Sequence, residues 1–184
     1  MGMVHLRPAA ESASSAVPTQ AMVQNNRIAE RMTTSLADHE KWMRLALDLA
    51  REAEDSGEVP VGCVLVADGE IVGQGRNSPI EMLDPTAHAE MLALRQGAIA
   101  LGTYRLSEAT LYCTLEPCAM CAGALVAARI RRLVFAARDL RFGGVRSKFE
   151  IADSPLLNHQ VEVVEGILGA ESTKMLQNFF NRRR

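Results

Sequence analysis

Three candidate metal ligands constrain this chain most strongly, because they lie in two short segments that the fold must bring together. His88 is followed two positions later by Glu90, and Cys118 and Cys121 come shortly after Pro117. One imidazole and two thiolates can hold Zn²⁺ as its three protein ligands, which leaves the fourth tetrahedral position for water. The sequence therefore predicts a zinc site whose open position is where chemistry takes place.

The spacing within each segment suggests which residues bind the metal and which acts as a general base. Cys118 and Cys121 are three positions apart, so on a helix that starts after Pro117 they lie on one face. We expect the N-terminus of that helix to lower the pKa of both thiols toward the metal-binding thiolate. Glu90 cannot easily share the metal with His88, but it can reach a metal-bound water as a general base. Glu90 is thus the predicted catalytic residue, beside one zinc ion per subunit.

A closed structural zinc site is the alternative, and it needs a fourth protein ligand. The two remaining cysteines, Cys63 and Cys113, lie within apolar segments, where a free cysteine usually fills the core. Because both parts of the ligand pattern are present together with Glu90, the catalytic interpretation is favoured.

Composition limits the remaining possibilities. A chain of 184 residues with 48% hydrophobic content suits one domain with a sizeable core. Residues 1–35 are rich in Ala, Ser and Gln without sustained periodicity, which predicts a flexible extension before a domain at 36–184. Four cysteines without a secretory signal favour the cytoplasm, and no apolar run approaches the length of a membrane helix.

Charge is unevenly distributed along the chain. Residues 1–128 carry 9 basic and 16 acidic residues, a net charge of −7, whereas residues 129–184 carry 11 and 6, a net charge of +5. A local basic surface can attract a phosphate backbone. For any single arginine, an ordinary solvated face is an equally good interpretation. The densest basic segment contains Arg129, Arg131, Arg132, Arg138, Arg141, Arg146 and Lys148.

The hydrophobic pattern predicts a three-layer α/β/α fold. A helix over 38–55 precedes strands at 61–67 and 70–75, joined at Asp68-Gly69 in a hairpin. The segment 76–85 is predicted as a loop before a helix from about 86 to 102. The cysteine helix lies between strands at 109–114 and 133–137, which favours a parallel pair. After a loop come a strand at 161–167 and a helix at 170–181. The result is a mixed five-stranded sheet with helices on both faces.

These motifs, taken together, carry a family resemblance. The sequence resembles the bacterial tRNA-specific adenosine deaminases, in the zinc-dependent cytidine and deoxycytidylate deaminase superfamily. The likeness runs from about residue 38 to the C-terminus and implies a cytidine-deaminase-like fold. The matching segments are 58–62, 77–80, 84–90, 104–106, 114–118, 121–124, 134–139 and Phe179-Phe180.

The resemblance implies a function and a set of substrate contacts. The expected reaction is hydrolytic deamination of the wobble adenosine to inosine in a tRNA anticodon loop, by a cytoplasmic homodimer. Asn77 would bind the flipped base, and Asp139 would contact the preceding nucleotide. The segment 140–149 departs from the better-known members. The other implied substrate-binding residues are Val61, Ala89 and Leu115 in the pocket, and Phe179, Phe180 and Arg183 on the anticodon loop.

Two other functions remain open from the sequence. A guanine or cytosine deaminase acting on free bases would share the zinc site and Glu90, but would need no basic surface for RNA. A non-catalytic zinc-bearing RNA-binding subunit is a third possibility, against which Glu90 argues, because such a subunit needs no proton shuttle. Phe180 is at least as well explained by core packing, and 182–184 by a frayed basic end.

Overall fold

The structure is a computed structural model that describes residues 34–183. Within these residues the chain forms a five-stranded sheet and five helices. The helices are α1 (Leu36–Asp55), α2 (Pro79–Met82), α3 (Ala89–Leu101), α4 (Ala119–Ala127) and α5 (Gly169–Asn181), and the strands are β1 (Gly62–Ala67), β2 (Glu70–Arg76), β3 (Thr110–Leu115), β4 (Arg132–Ala137) and β5 (Glu162–Glu165).

Helix α1 begins at a capping box. The Ser35 hydroxyl accepts a hydrogen bond from the backbone N–H of Asp38, and the Asp38 carboxylate accepts one from the backbone N–H of Ser35. This exchange satisfies donors that the first turn of a helix otherwise leaves unpaired. The buried residues along the helix, such as Met43, Leu47 and Ala50, lie at helical spacing and face the sheet.

The sheet has the order β2-β1-β3-β4-β5 and is mixed, as the sequence predicted. Strand β1 is antiparallel to β2 and β3, whereas β3, β4 and β5 run parallel. The hairpin turn lies at Asp68 and Gly69, both with positive φ. Two positive φ values in a two-residue loop match the right-handed twist of the strands it joins.

Two hydrophobic cores lie on opposite faces of the sheet, and this confirms the three-layer prediction. One core contains Leu65 and Leu111 with residues of α3 and α4. The other contains Val64 and Tyr112 with residues of α1. Because successive side chains of a strand point to opposite faces, adjacent residues of β1 and β3 enter different cores.

Two differences from the predicted elements have local causes. Part of the predicted loop at 76–85 forms the short helix α2, whose backbone N–H groups at Ile80 and Glu81 donate to the buried Glu58 carboxylate. Strand β5 is shorter than predicted because the chain turns at Gly166, where φ is +90°. No helix in the described part of the chain is long and apolar enough to cross a membrane.

The predicted domain boundary near residue 35 stays a prediction. Its extension, up to residue 33, lies outside the described residues, and a compact unit begins at Ser35.

Helix α3 packs unusually close to β2, and glycine makes this approach possible. A Cβ atom on Gly75 would lie 2.3 Å from the Ala89 carbonyl oxygen, and one on Gly73 would lie 2.3 Å from the Ala93 carbonyl oxygen. These carbonyl oxygens belong to the helix backbone, which cannot move aside as the flexible end of a side chain can. Gly73 and Gly75 therefore allow the first turns of α3 to lie close to the sheet. His88 directly precedes that helix, so its position depends on this contact.

We predict that Gly75→Ala lowers the free energy of unfolding by about 1–3 kcal/mol, the usual cost of overpacking. Gly123→Ala is a suitable control, because nothing lies within 4 Å of its added Cβ and the residue is inside α4. The control should stabilise the protein slightly, since alanine favours helix over glycine. Chemical denaturation measures both, and equal stability of the two variants would contradict the packing argument.

Candidate active site

The three predicted metal ligands converge at the N-termini of two helices. His88 is the N-cap residue of α3, Cys118 is the N-cap residue of α4, and Cys121 lies in the first turn of α4. The Nδ1 atom of His88 is 3.7 Å from the Cys118 sulfur and 3.5 Å from the Cys121 sulfur, and the two sulfurs are 3.7 Å apart. Residues thirty positions apart in sequence thus form one cluster.

These separations fit a zinc ion. Tetrahedral coordination with Zn–S bonds of about 2.3 Å and a Zn–N bond of about 2.0 Å places its ligand atoms about 3.5–3.8 Å apart. The Nδ1 atom and two sulfurs already have this spacing, so a single ion can bind all three without rearrangement.

The two thiols differ in their acidity. The pKa of Cys118 is lowered to about 4 because the Cys121 thiol donates a hydrogen bond to it, with a further contribution from His88. The pKa of Cys121 is raised, because its thiol donates to Cys118 and is buried. Both thiols were predicted to have a lowered pKa; this holds for Cys118, but the pKa of Cys121 is raised by the neighbouring Cys118 sulfur and by burial.

Glu90 is buried beside this cluster. Its side chain is only 4% exposed, and it lines the cavity that also reaches His88 and Cys118. Burial raises the pKa of the Glu90 carboxyl. A carboxyl group with a raised pKa gives up and takes back a proton more readily near neutral pH, which suits a proton shuttle.

The remaining cysteines form a separate pair. Cys63 and Cys113 are opposite each other on β1 and β3, with their sulfurs 2.7 Å apart, and they group with the Glu90 carboxylate. Burial raises the pKa of both thiols. Neither belongs to the cluster of His88 and the other two cysteines, so the closed structural site considered from the sequence gains no support.

A cavity of about 980 Å³ opens above the cluster, between the edge of the sheet and α5. Six of the eight residues that the resemblance assigned to the substrate line it: Val61, Asn77, Leu115, Asp139, Phe180 and Arg183. The side chain of Asn77 makes no hydrogen bond within residues 34–183, so its amide is available to a ligand.

The other two assigned residues lie beneath the cavity wall. Ala89 is fully buried in the core under β2. Phe179 is 4% exposed and packs edge-on against Phe180, with the Arg183 guanidinium 4.1 Å above its ring. Adjacent residues of a helix point in different directions, so Phe180 faces the cavity while Phe179 packs inward.

Most of the basic segment 129–148 has partners within the protein. Arg138 forms a two-pronged ion pair with Glu165, and Arg132 is buried against Glu162. In the same segment, Arg146 pairs with Asp153, and Arg129 donates to the Asn158 carbonyl. The structural interpretation is therefore favoured for these residues. At the C-terminal end, Arg182 pairs with Glu54, Arg183 donates to the Gly57 carbonyl, and Arg184 lies outside the described residues.

Sequence reasoning missed the role of Glu116, which is 2% exposed. Its carboxylate accepts hydrogen bonds from the backbone N–H groups of residues 139, 145, 146 and 147 and from the Ser147 hydroxyl. Burial alone would raise the pKa of this carboxyl, but hydrogen bonds from Ser147 and these backbone groups lower it. Glu116 thereby fixes the segment 139–147 against the start of α4.

Two glycines allow that contact. A Cβ on Gly143 would lie 2.4 Å from the Glu116 carboxyl carbon, and one on Gly144 would lie 2.7 Å from the Ala119 nitrogen. The backbone N–H of Gly144 donates to the Pro117 carbonyl. The Gly143-Gly144 pair is the sequence signal for this contact, and it lies in the segment predicted as a loop before the last strand.

Comparison with known proteins identifies the family of this chain. Residues 36–137 match the family "Cytidine and deoxycytidylate deaminase zinc-binding region". The tRNA-specific adenosine deaminase of Haemophilus influenzae is 52% identical over 146 residues, which cover 79% of this chain and 84% of that protein. The chain belongs to the tRNA-specific adenosine deaminase family. The predicted family and fold are confirmed.

Solved structures support the same placement. A structure from a study of A-to-I editing by tRNA:A34 deaminases at the wobble position has a TM-score of 0.72 and 44% identity, over 74% of this chain and 99% of that one. A guanine deaminase from Bacillus subtilis has a TM-score of 0.54 and 32% identity, over 78% of this chain and 94% of that one. The chain is thus more similar in sequence to the first structure than to the Bacillus subtilis guanine deaminase.

We predict that Cys118→Ala and Cys121→Ala each lose zinc, whereas Glu90→Ala keeps it and loses most activity. The reason is that the cysteines belong to the predicted ligand set, while Glu90, which lines the cavity, is the predicted proton carrier. Elemental analysis of folded protein measures the metal. Retention of tightly held zinc in a cysteine variant, or its loss from Glu90→Ala, would contradict these roles.

A second prediction concerns Glu116→Gln. The amide NH₂ group of the glutamine would face backbone N–H donors that now bond the carboxylate, and these donors would lose their acceptor. We therefore expect the free energy of unfolding to fall by about 3 kcal/mol. Glu108→Gln, an exposed change, should have little effect. Urea denaturation compares them, and equal stability of both variants would show that the carboxylate does not hold the loop.

Proposed function

We propose that this deaminase converts the wobble adenosine of a tRNA anticodon loop to inosine. The observation that carries the proposal is the cavity, which places the buried Glu90 and the free amide of Asn77 beside the zinc ligands. Three relatives with 40%, 46% and 52% identity are named tRNA-specific adenosine deaminases. A cavity of about 980 Å³ also has room for more than a single base.

The reaction replaces the amino group at C6 of adenine with oxygen from water and releases ammonia. Zinc held by His88, Cys118 and Cys121 would supply a Lewis acid that makes water a stronger nucleophile near neutral pH. Glu90 takes a proton from the attacking water and delivers it to ring nitrogen N1. It then takes the proton of the hydroxyl group added at C6 and carries it to the amino nitrogen, so that the C6–N bond breaks, ammonia leaves and the C6=O bond forms.

Substrate recognition falls to residues that line the cavity. Asn77 binds the base by hydrogen bonds, while Val61 and Leu115 provide apolar walls. An adenosine must leave its stack to reach Glu90, which is easiest in a single-stranded loop. Asp139 contacts the preceding nucleotide with one carboxylate oxygen, because the other accepts hydrogen bonds from the backbone N–H groups of Arg141 and Phe142.

The assembly and location belong to the same proposal. We infer a homodimer with one zinc ion per subunit, acting on tRNA in the cytoplasm. The free thiols of the described residues are compatible with a reducing compartment. Analytical ultracentrifugation combined with metal analysis tests the stoichiometry.

Inosine formation distinguishes the candidate functions. We expect the wild-type protein to deaminate an anticodon stem-loop much faster than free adenosine, guanine or cytosine. Deamination of free guanine faster than the stem-loop would instead support the free-base function of its more distant neighbours. No deamination of any of these substrates by zinc-loaded protein would support the non-catalytic RNA-binding subunit.

Salt dependence gives a second test of RNA recognition. Each phosphate contact to a single strand contributes about 0.7 to the slope of log affinity against log salt, whereas a free base contributes none. Asn77→Ala should lower turnover without changing that slope, because Asn77 binds the base and not the phosphate. An affinity for the stem-loop that is independent of salt would contradict the proposal.

A further inference from the structure

Three consecutive side chains on the cavity rim have no role in the core. Leu140, Arg141 and Phe142, here called the 140–142 rim, line the same cavity as Glu90 and are exposed to solvent. The Phe142 side chain is 64% exposed. Leu140 and Phe142 are both exposed at the same cavity, and apolar side chains grouped at a cavity are typical of a binding site.

The rim is held firmly from beneath. The Asp139 carboxylate accepts hydrogen bonds from the backbone N–H groups of Arg141 at 2.9 Å and Phe142 at 3.1 Å. The backbone N–H of Asp139 in turn donates to the buried Glu116 at 3.0 Å. Gly143, which follows the rim, packs directly on the Glu116 carboxyl group. Since the turn is already ordered, a ligand that binds Phe142 loses little backbone entropy.

The chemistry of the rim combines an aromatic face with a cation. The Arg141 guanidinium carbon is 5.7 Å from the centre of the Phe142 ring. Within residues 34–183, no carboxylate forms an ion pair with Arg141. Its charge is therefore available to an anionic ligand, whereas Arg138 nearby is occupied by Glu165.

A second aromatic residue borders the cavity from a different element. Phe180 of α5 is 46% exposed and lines the same space. A single-stranded nucleic acid offers flat bases and phosphates in alternation, and proteins bind it with aromatic rings beside cationic groups. An apolar protein segment would leave the charge of Arg141 without a partner.

We propose that the 140–142 rim is a subsite for the nucleotide next to the deaminated one, with Phe142 stacked on its base and Arg141 facing its phosphate. This rests on the proposed function. The subsite would fix the strand on one side of the target, so that the flipped base enters toward Asn77 and Glu90. It would therefore contribute to binding a strand and nothing to binding a free base.

The first test compares Phe142→Ala with Phe149→Ala in the full-length, zinc-loaded protein. Phe149 is a matched control, because it is 56% exposed in the same segment but does not line the cavity. Loss of one stacked base should weaken stem-loop binding about 5- to 150-fold. Phe142→Trp should retain binding, and Phe142→Leu should lose most of it, since leucine keeps apolar area without a flat ring. Zinc content and melting temperature should be unchanged.

The second test identifies the base. Stem-loops with an abasic nucleotide immediately 5′ or 3′ of the target are measured with wild-type protein and with Phe142→Ala. If Phe142 stacks on one of those bases, removing that base weakens wild-type binding, and the added Phe142→Ala change has no further effect. If the abasic change and Phe142→Ala instead weaken binding independently at both positions, so that the two fold-losses in affinity multiply, the proposed subsite is wrong.

The results of these tests distinguish failure of the proposed subsite from failure of the proposed function. If wild-type protein deaminates the stem-loop but Phe142→Ala binds it as tightly as Phe149→Ala does, the subsite is wrong and the function stands. If wild-type protein deaminates only free bases, the proposed function fails first, and the subsite fails with it.

Discussion

The buried carboxylate of Glu116 is the interaction on which the cavity depends. It lies between the end of β3 and Cys118, the first cysteine of the candidate zinc site, and five donors of the segment 139–147 converge on it. A buried charge is costly unless its hydrogen bonds are satisfied. Here satisfying them requires the loop to close over the start of α4. The loop that forms the cavity rim and the helix that holds Cys118 are therefore positioned by one side chain.

The fold and the metal cluster could be predicted from sequence because each depends on local, periodic signals. Short apolar runs identified the buried strands, and the Asp68-Gly69 turn identified the hairpin. Parallel pairing of β3 and β4 followed from the helix between them. The cluster of His88, Cys118 and Cys121 followed from ligand type and spacing. In these cases the pattern within a short segment determines the outcome, and tertiary contacts only select among a few arrangements.

The remaining features depend on contacts between distant segments, for which the sequence has no period. Glu165 neutralises Arg138 from another strand, so the charge count along the chain overstated the basic surface. Phe179 and Phe180 are adjacent, yet only the packing of α5 decides which one faces the cavity. The pKa of Cys121 rises because a second sulfur is near it, and that could not be known before the two side chains were placed.

The base and the rim of the cavity differ in burial and in what each is suited to bind. At its base, the close approach of Gly75 to α3 sets the position of the partly buried His88 and the buried Glu90. At its rim, exposed side chains at Phe142 and Phe180 stand on ordered backbone. Chemistry at C6 requires a fixed geometry, whereas an RNA strand varies in conformation and is bound best by surfaces that tolerate some variation. Because Glu116 connects the rim to the start of α4, a strand bound at the proposed subsite would lie at a set distance from Glu90. Recognition of the strand would then be coupled to placement of the adenine that reacts.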